Sequence, residues 1–299
     1  MNGTRQVRKA VFPVAGLGTR FLPATRAIPK EMLPVLDKPL IQYAVEEAAD
    51  AGIENIIFVT RGDKQAILDH FEPDPALEAM LVTRGDEQLL SSLTSIAPPG
   101  VRFSEVLQPQ PLGLGHAVLC ARDMVGHEPF AVILPDDMVL TKGDGCLSAM
   151  VTSFMETGCS QVGVEEIPRA LSGRYGIAAV RDDGSGILEM TQIVEKPQPE
   201  EAPSTLGVVG RYVFSADIFG HLEQIGTGAG GEIQLTDAIA RLLQEQAVHA
   251  FPINGLRFDC GSRFGWLEAQ LAVALRNKAL APRLRRLMRQ LLADAEGKT

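Results

Sequence analysis

The chain has 299 residues, of which 45% are hydrophobic and 22% charged, and carries a net charge of −9. That balance is of an ordinary globular protein and excludes a disordered, fibrous or collagen-like chain; no apolar run approaches the roughly 18 residues of a membrane span. An acidic chain is a poor non-specific binder of nucleic acid or anionic membrane, so neither is expected as a partner.

Short β-rich apolar runs alternate with helical stretches along the first half. Residues 9–14 read as a first strand, 40–51 as a helix stopped at Gly52, and 55–59 as a second strand. A helix around 63–70 and a longer polar one around 75–95 follow, then a strand at 101–106, a helix at 115–124 and a fourth strand at 130–134. Continuous apolar strands separated by helices predict a mostly parallel sheet covered on both faces. After about residue 160 the texture changes. Residues 161–165, 175–180, 187–194 and 207–214 read as strands with little helix between them, and the turn cluster at 181–186 predicts a hairpin. Helices return at 216–224 and 234–244, residues 256–258 are strand-like, and 264–292 form a basic tail with apolar residues at helix spacing. The expected fold class is α/β: a Rossmann-like, mostly parallel mixed sheet flanked by helices, with a β-rich layer and a helical C-terminal tail.

Cys120, Cys146, Cys159 and Cys260 show no C-x-x-C spacing and read as reduced thiols of a cytoplasmic protein. The five histidines are scattered and give no zinc pattern. Pro13, Gly16 and Gly18 interrupt the apolar start and Arg20 follows it, so no signal peptide is expected. Residues 1–30 hold Arg5, Arg8, Lys9, Arg20, Arg26 and Lys30 and no acid. A basic terminus accounts for the first three; Arg20 and Lys30 instead sit in a Gly/Pro-rich loop after the first strand, where open α/β sheets bind ligands. Backbone N–H groups freed by Gly16 and Gly18, beside two cations, suit a triphosphate. The rival phosphate loops fail by letter. There is no G-x-x-x-x-G-K-[ST], and Phe21 stands where a dinucleotide fingerprint needs its third glycine. The literal G-x-G-x-x-G at Gly226, Gly228 and Gly231 follows a helical stretch, not a strand.

Gly16-x-Gly18-Thr19-Arg20-x-x-Pro23-x-Thr25, with Lys30-x-x-x-Pro34 beyond it, resembles the signature of sugar-1-phosphate nucleotidylyltransferases. Seven ordered segments carry the resemblance over about residues 9–265: VAGLGTRFLPATRAIPKEML at 14–33, GLGHAVLC at 113–120, VILPDD at 132–137, VEKP at 194–197, VGRY at 209–212, GGEIQLTDA at 230–238 and DCG at 259–261. The segments GLGHAV and GGEIQLTDA favour the branch that uses UTP. The resemblance implies that UTP and glucose 1-phosphate give UDP-glucose and pyrophosphate, by in-line attack of the sugar phosphate on the α-phosphorus. It also implies a catalytic domain at 1–265, with a nucleotide-binding part at about 1–160 and a sugar-binding part at about 161–262, and a tail at 266–299. The same chemistry with dTTP stays open at this point, since uracil and thymine differ by one methyl. A non-catalytic sugar-nucleotide sensor would be expected to lose Arg20, Lys30, Asp136 or Lys196, and all are present. A dinucleotide oxidoreductase is disfavoured by the missing glycine.

Two polyanions must meet in such a reaction, and one unit-charge repulsion at roughly 4 Å costs about 4 kcal/mol at an effective dielectric of about 20. A divalent cation and several basic side chains are therefore expected. The resemblance assigns Arg20 and Lys30 to the triphosphate and the leaving pyrophosphate. It gives the backbone of Ala15, Gly16, Gly18 and Gly113 and the amide of Gln108 to the nucleotide, Gly176 and Glu195 to the sugar, and Lys196 to the sugar phosphate. Asp136 and Asp259 would hold one Mg²⁺; both follow strand-like segments, whose carboxyl ends meet at one edge of a parallel sheet. Arg20, Lys30, Asp136 and Lys196 are the candidate catalytic set. The plain alternatives are surface ion pairs for Arg20 and Lys30, a cross-strand ion pair for Glu195 or Lys196, and a turn role for Gln108. Asp137 reads equally as a helix cap or solvated turn residue, and His116 as a packing residue or a contact. Arg263 stands where relatives often carry lysine, and Leu107 where an arginine is expected. The basic tail and the 75–95 helix point to self-association, and the resemblance implies a homodimer or homotetramer.

Overall fold

Ala10, Val11 and Phe12 of the first apolar run are all fully buried, as a strand covered on both faces requires. That strand, β1 (Lys9–Pro13), is followed in chain order by β2 (Pro34–Val35), β3 (Lys38–Pro39), β4 (Asn55–Thr60), β5 (Arg102–Leu107), β6 (Phe130–Ile133) and β7 (Asp137–Thr141). Then come β8 (Ser160–Glu166), β9 (Gly176–Asp182), β10 (Leu188–Glu195), β11 (Leu206–Phe214), β12 (Val248–Pro252) and β13 (Gly255–Asp259). The computed structural model describes residues 6–62, 64–141, 143, 145–184, 186–226, 228 and 231–296. Arg5, Asp63, Ser185 and Gly230, which fall in stretches discussed above, lie outside the described residues.

Nine strands form the main sheet in the order β5-β4-β1-β6-β11-β8-β12-β10-β9, and β11 also pairs with β9. β5, β4, β1 and β6 are mutually parallel, which is the half legible as strand–helix alternation. From β11 onward antiparallel pairing takes over, with β8 and β12 the one parallel pair there among the described residues. The sheet is mixed, flanked by helices, with a β-rich second half and a helical tail. Side chains of β1 alternate between two cores. Val11 joins Phe130, Val132 and the helices Leu114–Cys120, Ile218–Gln224 and Leu235–Leu242 on one face. Ala10 and Phe12 join Phe58, Ile133 and the helices Leu40–Asp50 and Cys146–Thr157 on the other.

Several expected elements differ. Residues 75–95 form two helices, Pro75–Arg84 and Glu87–Thr94. Gly85 between them takes φ 69, and Asp74 and Asp86 each cap a helix start by accepting the N–H three residues on, Leu77 at 3.0 Å and Leu89 at 3.1 Å. The 115–124 helix stops at Cys120 and restarts as Arg122–Val125. The tail is also two helices, Arg263–Arg276 and Ala281–Glu296. Asn277 breaks it, its Oδ1 accepting from the N–H of Ala279 and Leu280. β7, β12 and the helix Cys146–Thr157 are additions that the sequence pattern does not announce. No helix among the described residues is long and apolar enough to cross a membrane.

Two buried ion pairs lock the frame beneath the site. The Arg211 guanidinium is enclosed: Nη2 meets Glu47 Oε2 at 2.7 Å, Nε meets both Glu47 oxygens at 3.1 Å, and Nη1 donates to the carbonyls of Leu134 and Gly210. Lys64 Nζ pairs with Glu31 Oε2 at 2.8 Å under the loop that follows β1. Burial pushes the Glu31 carboxyl up and the Lys64 ammonium down, which their mutual attraction opposes only in part.

Candidate active site

The chain leaves β6 through a turn at 134–136 and enters β7 at Asp137. Leu134 N–H donates to the Gly210 carbonyl at 2.9 Å, and Gly210 N–H donates to Asp137 Oδ2 at 2.8 Å. A Cβ on Gly210 would lie 2.6 Å from that of Leu134, so this close approach needs glycine. Arg257 holds the other side of Asp137, Nε to Oδ1 at 2.5 Å and Nη2 to Oδ2 at 3.0 Å. Asp137 is therefore neither a helix cap nor a solvated turn residue; it is a buried carboxylate that anchors the turn.

Asp136, one residue earlier, lies 2.5 Å from Lys30 Nζ. Burial by itself would raise the Asp136 carboxyl, but the charge and hydrogen bond of Lys30, a backbone hydrogen bond and the Arg20 guanidinium together outweigh it and leave the carboxyl below its usual range. Burial would likewise lower Lys30, and the Asp136 and Glu31 carboxylates outweigh it and leave the ammonium raised. The surface ion pair considered for Lys30 is thus a partly buried pair with the neighbouring site carboxylate.

Asp259 reaches the same place by a different route from the expected one. It does not come to the edge of a parallel sheet. β13 pairs antiparallel with β7 in a separate ribbon, and that register sets Asp259 opposite Asp137. A Cβ on Gly261 would lie 2.8 Å from Asp136 Oδ2, 3.1 Å from Asp259 Oδ1 and 3.7 Å from Arg20 Nη1. Two carboxylates and one guanidinium thus face a single point. Asp259 Oδ2 also meets Arg174 Nη2 at 2.7 Å. Among the described residues no group of three or more His, Cys, Asp or Glu converges as a metal centre. Two hard carboxylates that leave the remaining positions to water and phosphate oxygens fit a hard divalent cation rather than a closed protein cage.

A cavity of about 600 Å³ opens beside this point. Five carboxylates and four basic side chains line it, so on its own charge it does not attract a polyanion. Glu195 and Lys196, at the end of β10, form its far wall. Lys196 Nζ lies 3.0 Å from Glu195 Oε1, an ion pair between neighbours rather than across strands. Lys196 takes φ 44, held by its N–H donating to the Tyr175 carbonyl at 3.0 Å; a non-glycine residue there costs about 1–3 kcal/mol, a strain that clusters at ligand sites. Glu195 Oε2 accepts from Thr236 Oγ1 at 3.1 Å. Gly176 stands opposite Glu195 in the β9–β10 register, where a Cβ would lie 2.9 Å from Thr236 Cγ2 and fill the floor.

From the loop after β1 only Arg20 lines this cavity, while Gly16, Thr25 and Lys30 line a second one of about 320 Å³. Gly18 takes φ 64 and its carbonyl accepts from Thr25 Oγ1 at 2.7 Å. The Lys30 stem lies over Gly16, its Cε 3.5 Å from where a Cβ would be. Ala15 is buried at the strand end. Arg20 lines the cavity, and Arg263 Nε donates to the Arg20 carbonyl at 3.0 Å, so Arg263 holds the loop through the backbone. Leu107, the last residue of β5, is exposed, and Gln108 just beyond it is buried. Gln108 N–H donates to the Thr60 carbonyl at 2.7 Å, and Nε2 lies 3.1 Å from both the Gly113 carbonyl and His116 Nδ1. The Gln108 amide nitrogen is thus already committed inside the protein. Gly113 takes φ 94, and a Cβ there would lie 2.8 Å from Glu232 Cβ.

Arg174, Thr236 and Arg257 belong to this site without having been singled out by sequence. Thr236 lies in the GGEIQLTDA segment, and Arg257 stands two residues before Asp259, on the same face of a strand by the period of 2. Arg174 ends a 3₁₀ turn and carries no motif.

A nucleotidyl transferase family profile matches residues 9–274. UTP–glucose-1-phosphate uridylyltransferase of Haemophilus ducreyi is 47% identical over 290 residues, covering 95% of this chain and 98% of its own. The structure described as UTP-bound UGPase from Acinetobacter baumannii superposes with a TM-score of 0.88 at 45% identity, over 96% of this chain and all of that one. A UDP-glucose pyrophosphorylase complexed with UDP-glucose gives 0.83 at 40% identity, over 91% of this chain and all of that one. The matched span runs from β1 into the helix Arg263–Arg276 and so takes in every residue of the site, and the chain belongs to the nucleotidyl transferase family.

Proposed function

We propose that the chain transfers the uridylyl group of UTP to α-D-glucose 1-phosphate, giving UDP-glucose and pyrophosphate. The observation that carries the choice of substrates is the near-full-length identity of 47% with a relative named for that reaction. The geometry supports the chemistry. A phosphate oxygen of the sugar phosphate attacks the α-phosphorus, the bond to the bridging oxygen breaks, and pyrophosphate leaves opposite the attack. Lys196 and Glu195 hold the sugar phosphate and the sugar against the opening kept by Gly176. Arg20 and Lys30 take the triphosphate, Lys30 exchanging Asp136 for phosphate. The backbone of Ala15, Gly16, Gly18 and Gly113 and the free amide oxygen of Gln108 orient the nucleoside. Asp136 and Asp259 would hold Mg²⁺, which when bound offsets repulsion between the two phosphates. Residues 1–160 thus serve the nucleotide, about 161–262 the sugar, and 266–299 self-association as a homodimer or homotetramer. The four cysteines are free thiols, which supports a cytoplasmic setting.

The test is pyrophosphate release across a panel of nucleoside triphosphates and sugar 1-phosphates. UTP with glucose 1-phosphate is expected to give the highest kcat/KM, and another pair ahead of it would overturn the assignment. Gln108→Ala is expected to raise the KM for UTP and to blur base choice in the same panel. Gly261→Ala pushes a methyl between Asp136 and Asp259. Misplacing reacting groups by about 1 Å can cost up to ~10²-fold, so this variant is expected to lose at least about tenfold in kcat with little change in Tm; full turnover would show that the two carboxylates do not act together.

A further inference from the structure

Resting on the reading of Gln108 as the contact to the pyrimidine, we propose that His116 is a positioning residue that makes this site choose uracil over cytosine. The argument is a count of hydrogens. The Gln108 amide nitrogen carries two, and two acceptors take them: the Gly113 carbonyl and His116 Nδ1, both at 3.1 Å. Nδ1 accepts only when the ring proton sits on Nε2, which lies 3.8 Å from Cys120 Sγ. Burial pushes the Cys120 thiol up, so the sulfur stays an uncharged neighbour. With the amide nitrogen directed to the Gly113 carbonyl, Nδ1 must accept, so the Gly113 contact sets the tautomer; His116 and Cys120 are four residues apart on the helix Leu114–Cys120, hence on one face.

With both hydrogens committed, Oε1 is the polar atom that Gln108 presents. No donor among the described residues is bonded to it, and it is not among their enclosed unsatisfied atoms. An amide oxygen accepts from uracil N3–H but faces the N3 lone pair of cytosine, acceptor against acceptor. Turning the amide over would suit cytosine. It would also place Oε1 against the Gly113 carbonyl, acceptor against acceptor, and against Nδ1, which could bond it only after the ring proton moves there from Nε2. Gly113 opposes that turnover directly, and His116 adds the cost of changing its tautomer. A site built on such a fixed polar edge rejects the analogue that cannot match it.

The test compares kcat/KM for UTP and CTP in the wild type, His116→Leu and His116→Asn, with Gln108→Ala as control. Leucine removes the acceptor; asparagine places an amide oxygen near where Nδ1 stands. The preference for UTP over CTP is expected to fall about five- to tenfold in His116→Leu, the scale of one net hydrogen bond. The loss should sit mainly in the KM for UTP, and His116→Asn should recover most of it. Nitrogen-15 NMR of the wild type should find His116 with its proton on Nε2. An unchanged base preference in His116→Leu, while Gln108→Ala lowers it, overturns the role of His116 alone. An unchanged preference in Gln108→Ala overturns the reading beneath it. If His116→Leu does not fold, the wild-type tautomer decides, and a proton on Nδ1 refutes the proposal.

Discussion

Replacing Asp136 by asparagine is expected to cut kcat by roughly 10²-fold or more with the fold intact, the scale of losing one strong electrostatic contact in an active site. Asparagine keeps the shape of the side chain and removes its charge from the point that Asp136, Asp259 and Arg20 face together. The charge matters because the carboxyl is held below its usual range against the cost of burial, and so is ionised at neutral pH. Lys30 would also lose its partner at 2.5 Å. Asp259→Asn should behave alike, with one difference: Arg174 is then freed rather than Lys30. The wild type is expected to stop in excess chelator and to recover with added Mg²⁺. Circular dichroism and Tm of both variants check the fold, and steady-state pyrophosphate release checks the rate. Near-normal turnover in both variants, or full activity in chelator, would leave charge neutralisation to Arg20, Lys30 and Lys196.

Glu47→Ala is expected to destabilise the chain by roughly 3–5 kcal/mol, the cost of stranding one member of a buried ion pair. The Arg211 side chain is 1% exposed, and Glu47 supplies the carboxylate that meets it. The alternative acceptors are two carbonyls, of Leu134 and Gly210, which carry no full charge. Asp137 cannot take over, since Arg257 and the Gly210 N–H already hold both its oxygens. The effect should show as a Tm lowered by about 10 °C, and as a fall in kcat, because the same two carbonyls border the turn that presents Asp136. Replacing both partners, Glu47→Leu with Arg211→Met, should recover much of the stability, since an apolar pair leaves no buried charge. A loss below about 1 kcal/mol in the single variant would mean that water or another group reaches Arg211.

The sequence by itself determined those parts of this protein whose causes lie within a few residues of one another. The loop at 14–33 is contiguous, so its glycines, Arg20 and Lys30 can be read together with the strand that ends before them. The same is true of Asp136 after the strand at 130–133 and of Glu195 and Lys196 at the end of β10. Helix and strand periods are also local, which is why most elements of the parallel half were legible. Helix breaks were not, because Gly85 and Asn277 are ordinary letters until a cap or a turn uses them. Only the tertiary structure decided which distant segments meet. Asp259 joins Asp136 because β13 pairs with β7, and Arg257 finds Asp137 across 120 residues. Arg211 and Glu47 are 164 residues apart, and each alone reads as an exposed charge. The free oxygen of Gln108 was equally hidden, since an amide shows both donor and acceptor until neighbours take one of them. The reason is that closing a loop of a hundred residues costs only slightly more than closing one of fifty, so no window of sequence records the choice; it is made by which faces bury together and which polar groups find partners there.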